Sequence, residues 1–277
     1  MLLLTACGAL DHGFLNAQGP VASQERHLFY IVCGILLFVA VPVLILVPVF
    51  AYHYRQSNTH DAYRPKWGFS WPLEGLIWLP PIGIVVLLAF ILWPATQRDD
   101  PYTRLAERGG PSPIQAIALD WKWVFIYPDQ RIATVNQLAV PIGMPIQVQL
   151  TSGTVMQSLL LPQLAGQIYA MAGMRTKLNF AVDRPGRYMG ENVQFNGTKF
   201  AHQRFAIVAM PPDAFRSWLA NATKVRRPLD AAAWAALSQR GIASPAIYSP
   251  VAKGFFDRVV AANGGHAQAG ALSAKAR

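Results

Sequence analysis

Apolar positions along the chain follow two different rhythms. From Leu28 to Tyr52 there is no charged residue or histidine over 25 positions, and from Gly75 to Gln97 a further 23 positions carry no charge. A hydrocarbon layer about 30 Å thick is crossed by roughly 20 helical residues, so each run can span it with some tilt. A buried helix of a soluble core rarely stays apolar on all sides for so long. Pro42 and Pro48 in the first run, and Pro80, Pro81 and Pro94 in the second, are tolerated as kinks in membrane helices. The short connection from Tyr54 to Pro72 carries Arg55, Arg64 and Lys66 against Asp61, with His53 and His60 beside or within it. Short positive loops stay on the cytoplasmic side. The pattern therefore predicts a two-helix hairpin with both ends facing outward, and Trp67, Trp71, Trp78 and Trp93 near the interfaces.

Beyond Gln97 the rhythm becomes that of strands. Residues 99–112 are charged and rich in Pro and Gly, as a linker is. Short apolar runs follow at Ile114–Leu119, Val124–Tyr127, Pro145–Thr151, Ser158–Leu161, Lys177–Val182 and Phe205–Met210. Alternation in Ile146-Gln147-Val148-Gln149-Leu150 puts one face into a core. Many short strands between Pro/Gly turns predict an antiparallel all-β sandwich over 113–211. From Pro211 the spacing is helical, over Asp213–Ala222, Asp230–Arg240 with Asp230 as cap, and Val251–Ala262. The expected organisation is an N-terminal segment 1–26, a membrane hairpin 27–98, the linker, the sandwich, a helical aromatic-rich extension 212–262 and a disordered tail 263–277.

Composition narrows the function classes. Charged residues make up 14% of the chain, against about 25% in ordinary soluble domains. Of the net charge of +10, the last quarter, residues 210–277, carries +6. A basic region outside the cytoplasm can meet anionic lipid or an acidic partner subunit, although a solvated surface is the simpler account; nucleic acid is excluded by its placement. The two cysteines, Cys7 and Cys33, can build neither a disulfide framework nor a four-cysteine zinc site. Leu2 to Gly8 resembles the end of a bacterial lipoprotein signal, in which Cys7 would be acylated, but only six residues precede it. Either the start lies upstream or Cys7 is an ordinary thiol. Cys33 reads as a small apolar residue of the first helix. Asp120 and Lys122 are spaced for an ion pair, and Met171 and Met174 for strand and turn packing. There is no Ser/His/Asp order, no H-E-x-x-H and no P-loop.

A hairpin followed by an outer sandwich resembles subunit II of the haem–copper terminal oxidases. The resemblance covers roughly residues 20–260. It is carried by Asp120-Trp121-Lys122-Trp123-Val124-Phe125-Ile126-Tyr127-Pro128, then Val140-Pro141, Leu150-Thr151-Ser152 and Val155-Met156-Gln157-Ser158. Gln167 to Met174 and Pro185-Gly186-Arg187-Tyr188 follow in order. It implies a cupredoxin-like fold for the sandwich. In cytochrome c oxidases of the family this domain holds two coppers through two bridging cysteines, two histidines, a methionine and a glutamate carbonyl, soft sulfur favouring the reduced metal. Here Asn192 and Asn196 stand at the cysteine positions, Phe200 and Gln157 at the histidines, Gln203 at the methionine and Gln194 at the glutamate. His202 lies near the loop but out of register.

Loss of these ligands points to the branch fed by quinol, and the sequence most resembles subunit II of bacterial cytochrome bo-type ubiquinol oxidases. That resemblance implies an inner-membrane respiratory complex that oxidises ubiquinol, reduces oxygen to water and translocates protons. It further implies haems and copper in subunit I, partner subunits I, III and IV, and no dealings with cytochrome c. The aromatic block Trp121–Tyr127 would then serve packing against subunit I. Glu74, the acid near the start of the second membrane run, aligns with the glutamate marking the mouth of a proton path into subunit I. Without the resemblance it reads as an acid at a helix N-terminus. The alternative to an oxidase subunit is a membrane-anchored cupredoxin-fold binding protein acting on its own, for which one anchor would suffice.

Overall fold

The computed structural model describes residues 13–58, 68–103, 105 and 112–264, so Cys7, His60, Arg64, Lys66 and most of the expected tail lie outside the described residues. Two units are resolved, Arg26–Asp100 and a second formed by the remaining residues.

The first unit is helical. Helix α1 runs Pro20–His53 and α2 Trp71–Arg98, both long and apolar enough to cross a membrane. At 1.5 Å per residue α1 is about 51 Å long, more than a hydrocarbon layer requires. It begins at Pro20, earlier than expected, because Pro20 occupies a first helical position where its missing N–H costs nothing. Polar Glu25, Arg26 and His27 are thus helical as well. Near the other end, Arg55 lies 4.1 Å from the Tyr52 ring and His53 meets Tyr54 edge-on at 4.8 Å.

The second unit is a sandwich. One sheet has six strands in the order β11-β3-β2-β1-β5-β8: β1 is Ser112–Leu119, β2 Lys122–Tyr127, β3 Ile132–Val135, β5 Ile146–Ser152, β8 Thr176–Phe180 and β11 Ala246–Tyr248. The other runs β4-β10-β9-β6-β7: β4 is Gln137–Pro141, β6 Gln157–Leu161, β7 Ala165–Ala170, β9 Gly186–Asn192 and β10 Arg204–Met210. The sheets are not wholly antiparallel as expected, since β1 lies parallel to β5 and β4 parallel to β10. Both pairs join segments far enough apart in sequence for the chain to return in the same direction.

Three helices follow, α3 Pro212–Ala222, α4 Ala231–Ser238 and α5 Phe255–Ala262, and Asp230 caps α4 as expected, accepting from Ala233 N at 2.8 Å. The region is not purely helical, because β11 adds to the edge of the six-stranded sheet beside β3.

Two cores result. Between the sheets, Trp123, Phe125 and Phe205 form an aromatic group, with centroids 4.8 to 6.3 Å apart. On the outer face of the six-stranded sheet, Ile117, Val124 and Ile126 meet Leu237, Tyr248, Val251, Phe256 and Val260 from the C-terminal extension. Strand β2 is therefore buried on both faces, which explains its unbroken apolar run.

Chain segments on both sides of the helices are tied to this unit. Gln18 N donates to Gln163 O at 2.7 Å and Asp183 N to Gln18 O at 3.0 Å. A Cβ on Gly19 would stand 2.5 Å from the Ala181 carbonyl oxygen, so only glycine fits there. Beyond α2, Pro101 O accepts from both the backbone N and the side-chain amide of Asn179.

Candidate functional site: a buried amide cluster

At one end of the sandwich, β6, the end of β9 and the loop leading into β10 place four carboxamides together. Gln157, Asn192, Asn196 and Gln203 are all buried. Gln203 is the hub. Its Oε1 accepts from Asn192 Nδ2 at 3.1 Å and from Asn196 Nδ2 at 2.7 Å. Its Nε2 donates to Gln157 Oε1 and to the carbonyls of Leu119 and Lys122, at 3.2 and 3.4 Å, which flank the β1–β2 turn. Gln157 Nε2 in turn donates to Thr154 Oγ1 at 3.1 Å. Asn192 Oδ1 accepts from Ser158 N and Gln194 N, and Asn192 Nδ2 donates to Gln194 O at 2.8 Å. A carboxamide offers two donors and one acceptor oxygen, so the orientation of each amide is fixed by its neighbours.

Of the six residues singled out in sequence, the structure joins these four through their side chains. Gln194 takes part through its backbone. Phe200 sits in a 3-10 turn, Phe200–His202, and its ring meets Phe195 at 5.8 Å. His202 is exposed in the same turn.

A dinuclear copper centre does not fit this donor set. It needs thiolates to bridge the metals and imidazoles to complete them. The side chains here are neutral amides, each turned toward another amide or a backbone group. Among the described residues, no group of three or more His, Cys, Asp and Glu is placed to hold a metal, and Cys33 lies in α1.

The β1–β2 turn is part of the same region. Trp121, its second residue, has φ 65, a left-handed conformation that costs a non-glycine residue about 1–3 kcal/mol and persists where its surroundings hold it. Arg240 lies 5.0 Å from the Trp121 ring and Lys199 Nζ 5.8 Å, so two cations flank the indole. The expected Asp120–Lys122 ion pair is not what forms. Asp120 pairs instead with Arg240 at 3.3 Å. The Lys122 ammonium donates to Leu237 O at 2.8 Å and Gln239 O at 2.6 Å, closing the C-terminal end of α4. Burial pulls the Lys122 pKa below its ordinary value, with Asp120 opposing. The competing partners come from residues 237–240, more than 100 positions away, and no local spacing announces them. Lys122→Met should cost about 1–3 kcal/mol through the lost charged hydrogen bonds. The extension should become cleavable by protease while the sandwich stays resistant; unchanged protease sensitivity would contradict this tie.

Met171 and Met174 lie in a tight turn, Met174 N donating to Met171 O at 3.2 Å across Gly173 at φ 72. In the helical unit, Glu74 lies in the first turn of α2, and its Oε2 accepts from Trp78 Nε1 at 2.9 Å.

A family model described as cytochrome c oxidase subunit II, periplasmic domain, matches residues 128–210. The cytochrome bo(3) ubiquinol oxidase subunit 2 of Pseudomonas putida is 37% identical over 261 residues, covering 94% of this chain and 82% of that protein. The ubiquinol oxidase subunit 2 of Acetobacter aceti is likewise 37% identical, over 94% of this chain and 84% of its own. Among solved structures, the periplasmic domain of subunit II of cytochrome oxidase of Bradyrhizobium japonicum is 24% identical with a TM-score of 0.41, covering 42% of this chain and 96% of that one.

Proposed function

Because this chain belongs to the family of subunit 2 of the cytochrome bo(3)-type ubiquinol oxidases, we propose that it is the membrane-anchored, non-haem subunit of a respiratory complex. The complex oxidises ubiquinol, reduces oxygen to water and translocates protons. The observation that carries this reading is the amide cluster: Gln157, Asn192, Asn196 and Gln203, at the positions the resemblance equates with copper ligands, bond to one another. Ubiquinol is lipid-soluble and delivers its electrons from the bilayer, so a relay in the outer domain is dispensable. Haems and copper belong to subunit I, and this chain supports that subunit's assembly together with subunits III and IV. The reading as an independent binding protein is not favoured, since relatives matching 94% of the chain are oxidase subunits.

The hairpin lies in the bacterial inner membrane with Arg55, Arg64 and Lys66 inside and both termini in the periplasm. Acylation of Cys7 would add a lipid anchor there. Glu74 then stands near the cytoplasmic interface, where water reaches it, and a carboxylate at membrane depth is retained for a purpose. It takes up protons for the path into subunit I. Glu74→Gln, which keeps shape and removes the titrating group, should slow quinol oxidation by up to about 100-fold, the low end of what a positioned proton-transfer group contributes. Haem content should be unchanged.

Purification of the native complex tests the overall reading. This chain should come with a haem-bearing subunit, and the preparation should oxidise ubiquinol but not cytochrome c. Copper bound to this chain, or electron uptake from cytochrome c, would overturn it.

A further inference from the structure

The carboxylate of Glu74 is held by a single side chain. Four residues further along α2, one helical turn and about 6 Å deeper, the Trp78 indole N–H donates to Glu74 Oε2 at 2.9 Å. Among the described residues no other side chain bonds to this carboxylate. Ser70, at the N-cap, makes no side-chain capping bond, and Glu74 N is taken by Ser70 O. From this we infer that Trp78 is a positioning residue for Glu74, an inference that rests on the proton-uptake reading of Glu74.

Three features of the pair support the role. An indole N–H donates and cannot accept, and it does not titrate at any working pH. It can therefore fix the carboxylate without competing for the proton, leaving Oε1 to receive one from water and pass it on. The pair's direction matters as well, because the donor lies on the C-terminal side of Glu74 and draws Oε2 along α2, away from the helix start. A glutamate left to its three side-chain torsions would populate several rotamers, many of them turned back toward the loop. Finally, residues four apart share one face of a helix, so Glu74 and Trp78 meet without any distortion of α2. Trp78 is largely exposed on this chain and Glu74 is half-buried. A carboxylate at membrane depth is tolerated facing a protein partner rather than lipid, so the pair faces the subunit that receives the proton. A tryptophan acting purely as an interfacial anchor would need no such bond.

The experiment compares the purified complex carrying Trp78→Phe, Glu74→Gln and the double substitution, each with haem content measured. Trp78→Phe keeps the ring and removes the donor. It should lower kcat about threefold to tenfold, as misplacing a reacting group does, with KM for ubiquinol unchanged. In the Glu74→Gln background it should add nothing, because the two residues act as one unit. Trp78→Gln, which restores an N–H donor without the ring, should recover much of the rate. Full activity in Trp78→Phe, or an effect that multiplies with that of Glu74→Gln, overturns the positioning role while leaving Glu74 in place. Full activity in Glu74→Gln overturns the reading of Glu74 itself, and this inference with it.

Discussion

Replacing Gln203 by leucine is expected to destabilise the sandwich by about 3–5 kcal/mol, because a buried polar group stripped of its partner costs about 1–3 kcal/mol. Leucine matches the size of glutamine closely, so the loss is of hydrogen bonding rather than volume. Gln203 Oε1 serves two amides and Nε2 serves three acceptors. Without it, Asn196 Nδ2 and Gln157 Oε1 lose the side-chain partner each has here, and the Leu119 and Lys122 carbonyls lose a shared donor. Asn192 is protected in part, since it keeps its bonds to Gln194 and Ser158. Unfolding of the full chain in detergent, followed through its buried tryptophans, reads the effect. A loss below about 1 kcal/mol, the ordinary worth of a single bond, would mean that the amides are not one cooperative cluster. Gln203→Asn, which keeps the amide but shortens its reach, should fall between the two.

Gly190→Ala should be nearly as damaging, at about 2–4 kcal/mol, toward or beyond the upper end of ordinary overpacking. Gly190 lies directly across from Phe205 in the β9–β10 pair. A Cβ there would come within 2.1 Å of Phe205 Cζ and 2.6 Å of Cε1. The ring cannot give way, because its other side is against Trp123 and Phe125 at 5.9 and 4.8 Å. Strand glycines weaken a sheet unless an aromatic neighbour covers them, which Phe205 does here. Phe205→Leu should relieve the clash, so the double variant is expected to be more stable than the additive sum predicts. Additivity within about 0.5 kcal/mol would show that the ring moves freely.

The sequence makes different parts of this architecture visible to different degrees, for physical reasons. The membrane helices announce themselves because 25 and 23 residues without charge have few other uses. The start of α1 does not, because Glu25, Arg26 and His27 look like a boundary, yet the helix continues through them. Strands β3 and β4 are separated only by Asn136, at φ 53, and no proline or glycine marks the corner. Strand β9 is interrupted in pattern by Gly186 and Gly190. Strand β11 is three residues long and exists because β3 offers it an edge. At the site, each amide can be noticed singly where the resemblance calls for a metal ligand. That they bond to one another across 46 positions, from Gln157 to Gln203, follows only from the fold. Separations more than twice as long hide Arg240 from Asp120 and Leu237 from Lys122.

The second core has a consequence for how the protein is made. Ile117, Val124 and Ile126 lie early in the sandwich, but the residues that cover them, Tyr248, Val251, Phe256 and Val260, are synthesised more than 100 positions later. A chain under synthesis therefore carries an uncovered apolar sheet face well before its cover arrives. Domains fold as units as they emerge, and exposed apolar surface is what attracts aggregation and proteolysis. Completion of α5 is thus the step that covers this apolar face of the six-stranded sheet. A chain that stops short of it leaves Ile117, Val124 and Ile126 without the cover that Phe256 and Val260 supply.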